Sequence, residues 1–378
     1  MAAKLIIAGG GIGGLAAALA LRRSGIEASV YERAPSFAEL GAGMSLWPNA
    51  TRVLKAWGIL DPLAEAGEPV EQFDLLRPDG RMISSIPMGG YPTPALCIHR
   101  ADLHRVLRAS LGDAPLESGR RLVGFAENGK ASVVARFADG HEAEADGIVG
   151  ADGINSVVRA QLHGASPPVY RGYRIWRGIS PDIRGTVLGH ISETWGRGRR
   201  FGIMPMGQGR ICWYATRNSP ADQPDEAEGR KREIRDLFAG WHKPVEALIE
   251  STDAANIITT HACDRRALRR WGKGRTTLLG DAAHPITPNV GQGACLAIED
   301  AACLAKALLQ EPDVAKGFRA YEAMRQIRTS LIGWQARHIG TLGQLENRWF
   351  AGARDLITRL VLDHSHGIRL NSVYAYET

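Results

Sequence analysis

The chain has 378 residues, 44% of them apolar and 23% charged, which suits one large or two ordinary domains and excludes an intrinsically disordered chain. Its net charge of +6 is spread along the sequence with local clusters at residues 197–200 and 265–275. No recognition helix, zinc-finger spacing or RNA-binding aromatic signature accompanies it, so anionic small molecules are expected as partners and nucleic acid is not. The five cysteines, Cys97, Cys212, Cys263, Cys295 and Cys303, are odd in number and lack CxxC or Cys/His metal spacing, so neither a disulfide framework nor a metal site is expected and the compartment reads as reducing and cytoplasmic.

Residues 4–8 (KLIIA) are a short buried-strand pattern. They run into GGGIGG, an Ala/Leu-rich helix to about Ser24, and a second strand at 28–32 (ASVYE). A β-α-β unit within ~30 residues is the setting in which a glycine triplet binds a dinucleotide. In that role Gly9 allows the turn, Gly11 lets a pyrophosphate approach the backbone, and Gly14 lets helix and strand pack closely. Ile12 and Gly13 open the helix, whose N-terminus presents partial positive charge to the phosphates. Glu32 ends the second strand, placed to accept ribose hydroxyls, and Arg33 follows it at the same nucleotide. The apolar run 5–21 after Lys4 has the look of a signal peptide, but the glycines at 9–14 interrupt it.

Beyond residue 67 the periodicity changes. Residues 70–97 read as short strands with a turn at Arg77-Pro78-Asp79-Gly80, followed by a helix at about 100–111 and another strand-rich stretch. An apolar strand at 147–151 ends in Asp152-Gly153. Residues 172–259 mix strand-like segments with one polar helix at about 225–239. Strand, turn and long helix return at 276–309, and the remainder is mainly helical. No internal repeat is evident. The alternation predicts an α/β protein with one nucleotide-binding domain built from 1–70, 98–171 and 260–330. A β-rich domain (71–97 and 172–259) is inserted into it, and helices at 331–378 follow. The stretch 339–378 is apolar enough to pack on the body or to form a dimer face, leaving monomer or homodimer open.

Three segments carry a resemblance: GGGIGG with Glu32, GADGINSVVR at 150–159, and GDAAHPITPNVGQGA at 280–294. In this order, over nearly the whole chain, they resemble the FAD-dependent aromatic hydroxylases, the family that includes para-hydroxybenzoate, salicylate, urate and alkyl-quinolone hydroxylases. The resemblance implies a para-hydroxybenzoate hydroxylase-like fold, with a Rossmann-type FAD-binding domain, an inserted β-rich substrate domain and C-terminal helices. Glu32 and Arg33 then address FAD rather than the nicotinamide cofactor. Asp281 matches an aspartate that bonds the ribityl chain of FAD; a plain turn or helix cap is its other reading. Pro288 resembles the loop proline beside the isoalloxazine ring. Gly291, Gln292, Gly293 and Ala294 open a helix whose bare amides favour the negative charge of reduced flavin. Asp152 and Arg159 resemble residues that touch FAD and help position the reduced nicotinamide, or else Asp152 caps a helix and Arg159 pairs with it. Arg100, in IHRADLHRVL, and Ser45, in GAGMSLWPN, resemble further flavin contacts; a solvent-facing arginine and a plain turn are the alternatives.

The resemblance also implies the reaction. NADH or NADPH reduces FAD, reduced flavin reacts with molecular oxygen, and the C(4a)-hydroperoxide passes a hydroxyl to a small aromatic or heteroaromatic substrate. The chain has no second GxGxxG unit, in keeping with a nicotinamide cofactor that visits without a domain of its own. Arg200, in GRRFGIMP, resembles a substrate-contacting arginine and with Pro288 is expected at the reacting ring, although a surface arginine in a basic cluster reads the same way. Met204 and Trp213 are candidate substrate walls or ordinary core. An aromatic residue expected near Cys212 for urate hydroxylation is absent, while TWGRGRRFGIMP, WYAT and GTLGQLEN look more like the alkyl-quinolone enzymes. His284 has no second ligand at metal spacing and reads as a loop residue. A flavin oxidase or dehydrogenase working without NAD(P)H, or a non-catalytic FAD binder, are the alternatives; epoxidation and decarboxylative hydroxylation also stay open.

Overall fold

The computed structural model describes residues 3–37, 41–129, 132–183, 186–365 and 373–378. The apolar run Lys4–Ala8 forms the central strand of a parallel sheet. In spatial order this sheet contains Thr276–Leu278, Gly147–Gly150, Lys4–Ala8, Glu27–Tyr31 and Leu116–Glu117, every neighbouring pair parallel. Leu5, Ile6, Ile7 and Ala8 are buried, which explains a strand without polar alternation: both faces are covered. The helices Ile12–Arg23 and Gly293–Gln310 pack against each other. The carboxyl ends of three adjacent strands bring Gly9, Asp152 and Asp281 to one edge of the sheet, the edge where open α/β sheets bind ligands.

A seven-stranded sheet lies beside it, in the order Ile258–Asp264, Val169–Pro181, Arg210–Asn218, Arg199–Pro205, His190–Trp195, Gln72–Leu76 and Met82–Pro87. It is antiparallel except where His190–Trp195 runs parallel to Gln72–Leu76. Period-two alternation divides its two faces. Trp176, Phe201, Ile211 and Trp213 point one way and form a second apolar core with Phe238, Leu248 and Ile249. Those three residues come from the helices Ala227–Phe238 and Val245–Ser251, the second of which adds to the single polar helix expected in this region. Met204 and Cys212 point the other way and join the core of the parallel-sheet body.

The long helix Val314–Gly343 packs on Gly293–Gln310, and the helix Arg348–Ser365 lies against Met82–Pro87. No helix among the described residues is long and apolar enough to cross a membrane.

Candidate active site

The first glycine loop is built by close approach. Gly9 has φ +109°, and a Cβ there would collide with the Ala151 carbonyl. A Cβ on Gly14 would overlap the Gly9 carbonyl oxygen. Gly11 caps the helix Ile12–Arg23 with no side-chain hydrogen bond, so the amides of its first turn face outward at the positive helix end. Glu32 takes the Gly10 amide on Oε2 at 2.7 Å and the Ala34 amide on Oε1 at 2.8 Å. A carboxylate has about four acceptor directions, so ribose hydroxyls still find room on it. Arg33 is exposed in the turn that follows. The buried His104 holds the loop from behind, its Nε2 2.9 Å from the Gly10 carbonyl oxygen. Nothing local in IHRADLHRVL marks that histidine as the loop's support.

The second and third motifs are fastened to each other. Asp152 Oδ2 accepts from the amides of Val157 at 2.7 Å and Val158 at 3.3 Å, capping the helix Val157–His163. Its Oδ1 is buried with no partner, and burial pushes the carboxyl up despite these hydrogen bonds. Arg159 does not pair with Asp152. Its Nη1 donates to the Ala282 and Ala283 carbonyls at 3.1 and 2.8 Å, and its Nη2 to the Arg266 carbonyl at 3.1 Å. Burial, helped by neighbouring Arg265, brings its guanidinium down to about 10. Asp281 is accessible to solvent, yet desolvation by its flanks pushes its carboxyl up while His284 and Arg100 pull it down. The stem of Arg100 lies against Gly41, on the same side of the cleft.

Beneath the third motif lies a buried ion cluster. Asp300 accepts from the Gly280 amide at 3.0 Å and from Arg325 Nε at 2.6 Å, and shares a 2.6 Å hydrogen bond with His284. Glu299 binds Arg325 at 2.7 Å, Arg328 at 2.6 Å and Asn49 at 2.6 Å. Burial opposes the charge on Asp300, but His284 and Arg325 hold its carboxyl at about 2. His284 is therefore a loop anchor, and among the described residues no His/Cys/Asp/Glu group could hold a metal.

Above the cluster, exposed Pro288 opens the single turn Pro288–Val290. Gly291 has φ +62°, and a Cβ there would stand 2.7 Å from Trp47 Nε1, an indole nitrogen buried without a partner. Gln292 is buried and accepts from Asn49 at 3.0 Å. The helix Gly293–Gln310 then starts with no side-chain cap, and Gly293 and Ala294 are partly accessible. Two uncapped helix starts, an orphaned carboxylate oxygen and cradles that a Cβ would fill are the fittings a dinucleotide needs.

The inner face of the seven-stranded sheet closes the site. Arg200 is 2% exposed and engaged on every nitrogen: Nε to Gln344 at 3.0 Å, Nη1 to Glu193 at 2.9 Å and Nη2 to Asn289 at 2.6 Å. It is no surface arginine, and it ties the sheet to the residue that follows Pro288. Tyr173 lies under its guanidinium at 5.5 Å and donates to the same Asn289 oxygen at 3.0 Å. Met204 is buried with its sulfur 3.9 Å from Ser45 Oγ. Trp213 lies elsewhere: fully buried in the second core, stacked on Phe201 at 5.5 Å and bonded to Thr252 at 2.8 Å. Strand alternation turns it away from the face shared by Cys212 and Tyr214.

That face carries two residues the sequence reading missed, Tyr214 and Arg177, which stand opposite each other in register. The Tyr214 ring lies where a Gly202 side chain would be. Arg177 is partly accessible and donates to Thr260 at 2.7 Å, with no carboxylate partner among the described residues. Burial lowers its pKa against the opposing pull of Cys212, Tyr214 and Tyr173, and nearby Arg100 lowers it further. The run YRIWRGI, read with period two, sets Tyr173 and Arg177 on one face and was the available signal.

A family model described as an FAD binding domain matches residues 2–329. Aurachin C monooxygenase/isomerase of Stigmatella aurantiaca is 40% identical over 361 residues, 94% of each chain. The 6-hydroxynicotinate 3-monooxygenase of Pseudomonas fluorescens is 35% identical over 346 residues, 87% of this chain and 89% of that one. A Klebsiella pneumoniae protein solved with FAD and uric acid has a TM-score of 0.87 at 30% identity, covering 95% of this chain and 93% of its own. Motifs, fold and relatives agree: the chain belongs to the FAD-dependent monooxygenases that hydroxylate aromatic rings.

Proposed function

We propose that the protein hydroxylates a small electron-rich heteroaromatic ring bearing an ionised oxygen or carboxylate, using NAD(P)H and molecular oxygen, with Arg177 as the counter-charge. The observation that carries this reading is a guanidinium on the inner sheet face, in register with Tyr214, that has no carboxylate partner among the described residues. Relatives named for 6-hydroxynicotinate, urate and 3-amino-4-hydroxybenzoate support it. Bound FAD supplies the redox chemistry and the activation of oxygen; the protein supplies position and electrostatics.

In this reading Gly9, Gly11, Ile12, Gly13 and Gly14 hold the pyrophosphate, and Glu32 and Arg33 the nucleoside. Asp152, Asp281 and Arg100 hold the chain between phosphate and flavin. The amides of Gln292, Gly293 and Ala294 at the uncapped helix start would hold the flavin ring, with Gly291, whose own amide donates to the Pro288 carbonyl at 3.0 Å, setting the turn before them, and Pro288, Ser45 and Met204 would bound the space for the ring. Arg159 positions the Gly280–Asp281 loop through its carbonyls. Arg200 positions the Pro288–Asn289 turn, because it is buried and held through all three nitrogens, Nη2 on Asn289 itself. Arg177 binds the substrate's anionic oxygen in a charge-assisted hydrogen bond. Tyr214, whose hydroxyl is pushed well up by burial and by Glu193, stays protonated with its hydrogen bond on Glu193 and lends its ring to the wall of the site.

The test uses FAD-loaded protein mixed anaerobically with NADH or NADPH, together with hydroxyquinolines, hydroxynicotinates, aromatic acids or purines. One ring ligand is expected to accelerate flavin reduction and, in air, to leave a product one oxygen atom heavier. For that ligand Arg177→Met is expected to raise KM roughly 10- to 100-fold, the loss of one charged hydrogen bond, with FAD affinity unchanged. An unchanged KM removes Arg177 from the substrate. Flavin reduction by a ligand in the absence of NAD(P)H converts the reading to an oxidase.

A further inference from the structure

The helix Arg348–Ser365 has its polarity reversed. Its inward face is ionic: Arg354 and Asp355 are 5% and 8% exposed, and Arg354 donates to Asp355 from Nε at 2.9 Å and Nη2 at 2.7 Å. The Arg354 guanidinium stands over the Trp195 ring at 5.0 Å, and Arg77 reaches Asp355 at 3.1 Å. Its outward face is apolar, with Trp349 71%, Phe350 64%, Leu356 58%, Ile357 58% and Leu360 54% exposed. These positions fall on one stripe of a helix. A surface helix in water carries the opposite arrangement, and an apolar patch of this kind marks a place where water is displaced.

Beside the stripe opens a groove of about 460 Å³ lined in part by Arg197, Arg199 and Arg348. None of these three has a carboxylate partner among the described residues. Arg199 donates to the Leu237 carbonyl, and Arg348 stacks over Trp349 at 4.4 Å. The acids nearby are already engaged: Asp79 with Arg81, Asp355 with Arg77 and Arg354, and Glu346 with Asn218.

We propose that this helix seats the enzyme on an anionic lipid surface. The five exposed apolar side chains enter the boundary between headgroups and acyl chains, and the three arginines meet lipid phosphates. Eighteen residues make a rod of about 27 Å that lies along such a surface, the posture of amphipathic helices that rest on a bilayer without spanning it. Charge decides against a second copy as the occupant. A two-fold contact through this face would set the same unpaired arginines against one another, and among the described residues the acids beside the groove, Asp79, Asp355 and Glu346, are already engaged.

The experiment is flotation of the full-length, FAD-loaded protein with phosphatidylcholine vesicles, with and without phosphatidylglycerol. The protein is expected to float with the anionic vesicles and to be released by salt, with Trp349→Ser/Ile357→Ser and Arg197→Glu/Arg348→Glu each weakening binding roughly tenfold or more. Flavin content and the urea midpoint are expected to stay at the parent values, which keeps loss of binding distinct from loss of fold. Failure to float with anionic vesicles overturns the proposal, as does equal flotation of parent and Trp349→Ser/Ile357→Ser. A solution dimer that the same double variant splits, without vesicle binding by the parent, assigns the face to a second copy and also overturns it.

Discussion

Replacing Asp300 by Asn removes one charge from beneath the flavin loop and leaves the shape almost unchanged. The carboxylate is fully buried and receives the Gly280 amide, His284 and Arg325 at 3.0, 2.6 and 2.6 Å. Removing one partner of a buried ion pair costs about 3–5 kcal/mol, and Arg325 keeps Glu299 at 2.7 Å, so the lower end, about 3 kcal/mol, is expected. A second route gives a similar figure. The Asp300 carboxyl sits at about 2 rather than 3.8, a stabilisation on the order of 2 kcal/mol. Because the folded-state pKa is the lower one, this stabilisation is complete above the unfolded value of 3.8 and is lost as pH falls toward 2. Urea unfolding followed by tryptophan fluorescence reads it. The gap between parent and Asp300→Asn is expected to hold near neutral pH and to shrink below about pH 4. With the Gly280 amide less firmly held, FAD is expected to bind roughly tenfold more weakly. A gap under about 1 kcal/mol near neutrality, or one that persists at the acid end, would refute the assignment of Asp300 as the charged anchor.

Gly14→Ala places a Cβ against the Gly9 carbonyl, so the protein is expected to purify without yellow colour and to bind added FAD at least about 100-fold more weakly by flavin fluorescence. Trp213→Phe removes the 2.8 Å hydrogen bond to Thr252 inside the second core; stability is expected to fall by about 1 kcal/mol while KM for the ring substrate stays put. A tenfold rise in that KM would return Trp213 to the substrate wall.

What was legible in the sequence is what depends on local backbone geometry. Gly9 and Gly14 stand out by spacing because the backbone there has no room for a Cβ: Gly9 has φ +109° and a Cβ on Gly14 would overlap the Gly9 carbonyl five residues back. The short helix Val245–Ser251 escaped because seven residues with three buried positions make a weak periodic signal. Partners distant in sequence were out of reach. Arg159 finds its carbonyls at Ala282 and Ala283, and Asp300 finds Arg325 one helix later. Strand parity was half legible: alternation separates Trp213 from Cys212 and Tyr214, but only packing decides which side faces the cleft.

The two arginines of the large sheet show why resemblance and physics need each other. Arg200 was the arginine that the motif pointed to, and in the folded chain Glu193, Gln344 and Asn289 satisfy it. A guanidinium bonded through all three nitrogens and only 2% exposed is held away from an arriving ring, so in the proposed function its effect passes through the Pro288–Asn289 turn. Arg177 has no carboxylate partner among the described residues and is partly accessible, and burial and Arg100 already weigh against its charge. An anionic ring relieves both penalties at once, and a neutral one relieves neither. In the proposed function the same sheet face would separate positioning from recognition: Arg200 would set where the flavin loop stands, and Arg177 would select for charge on what arrives there.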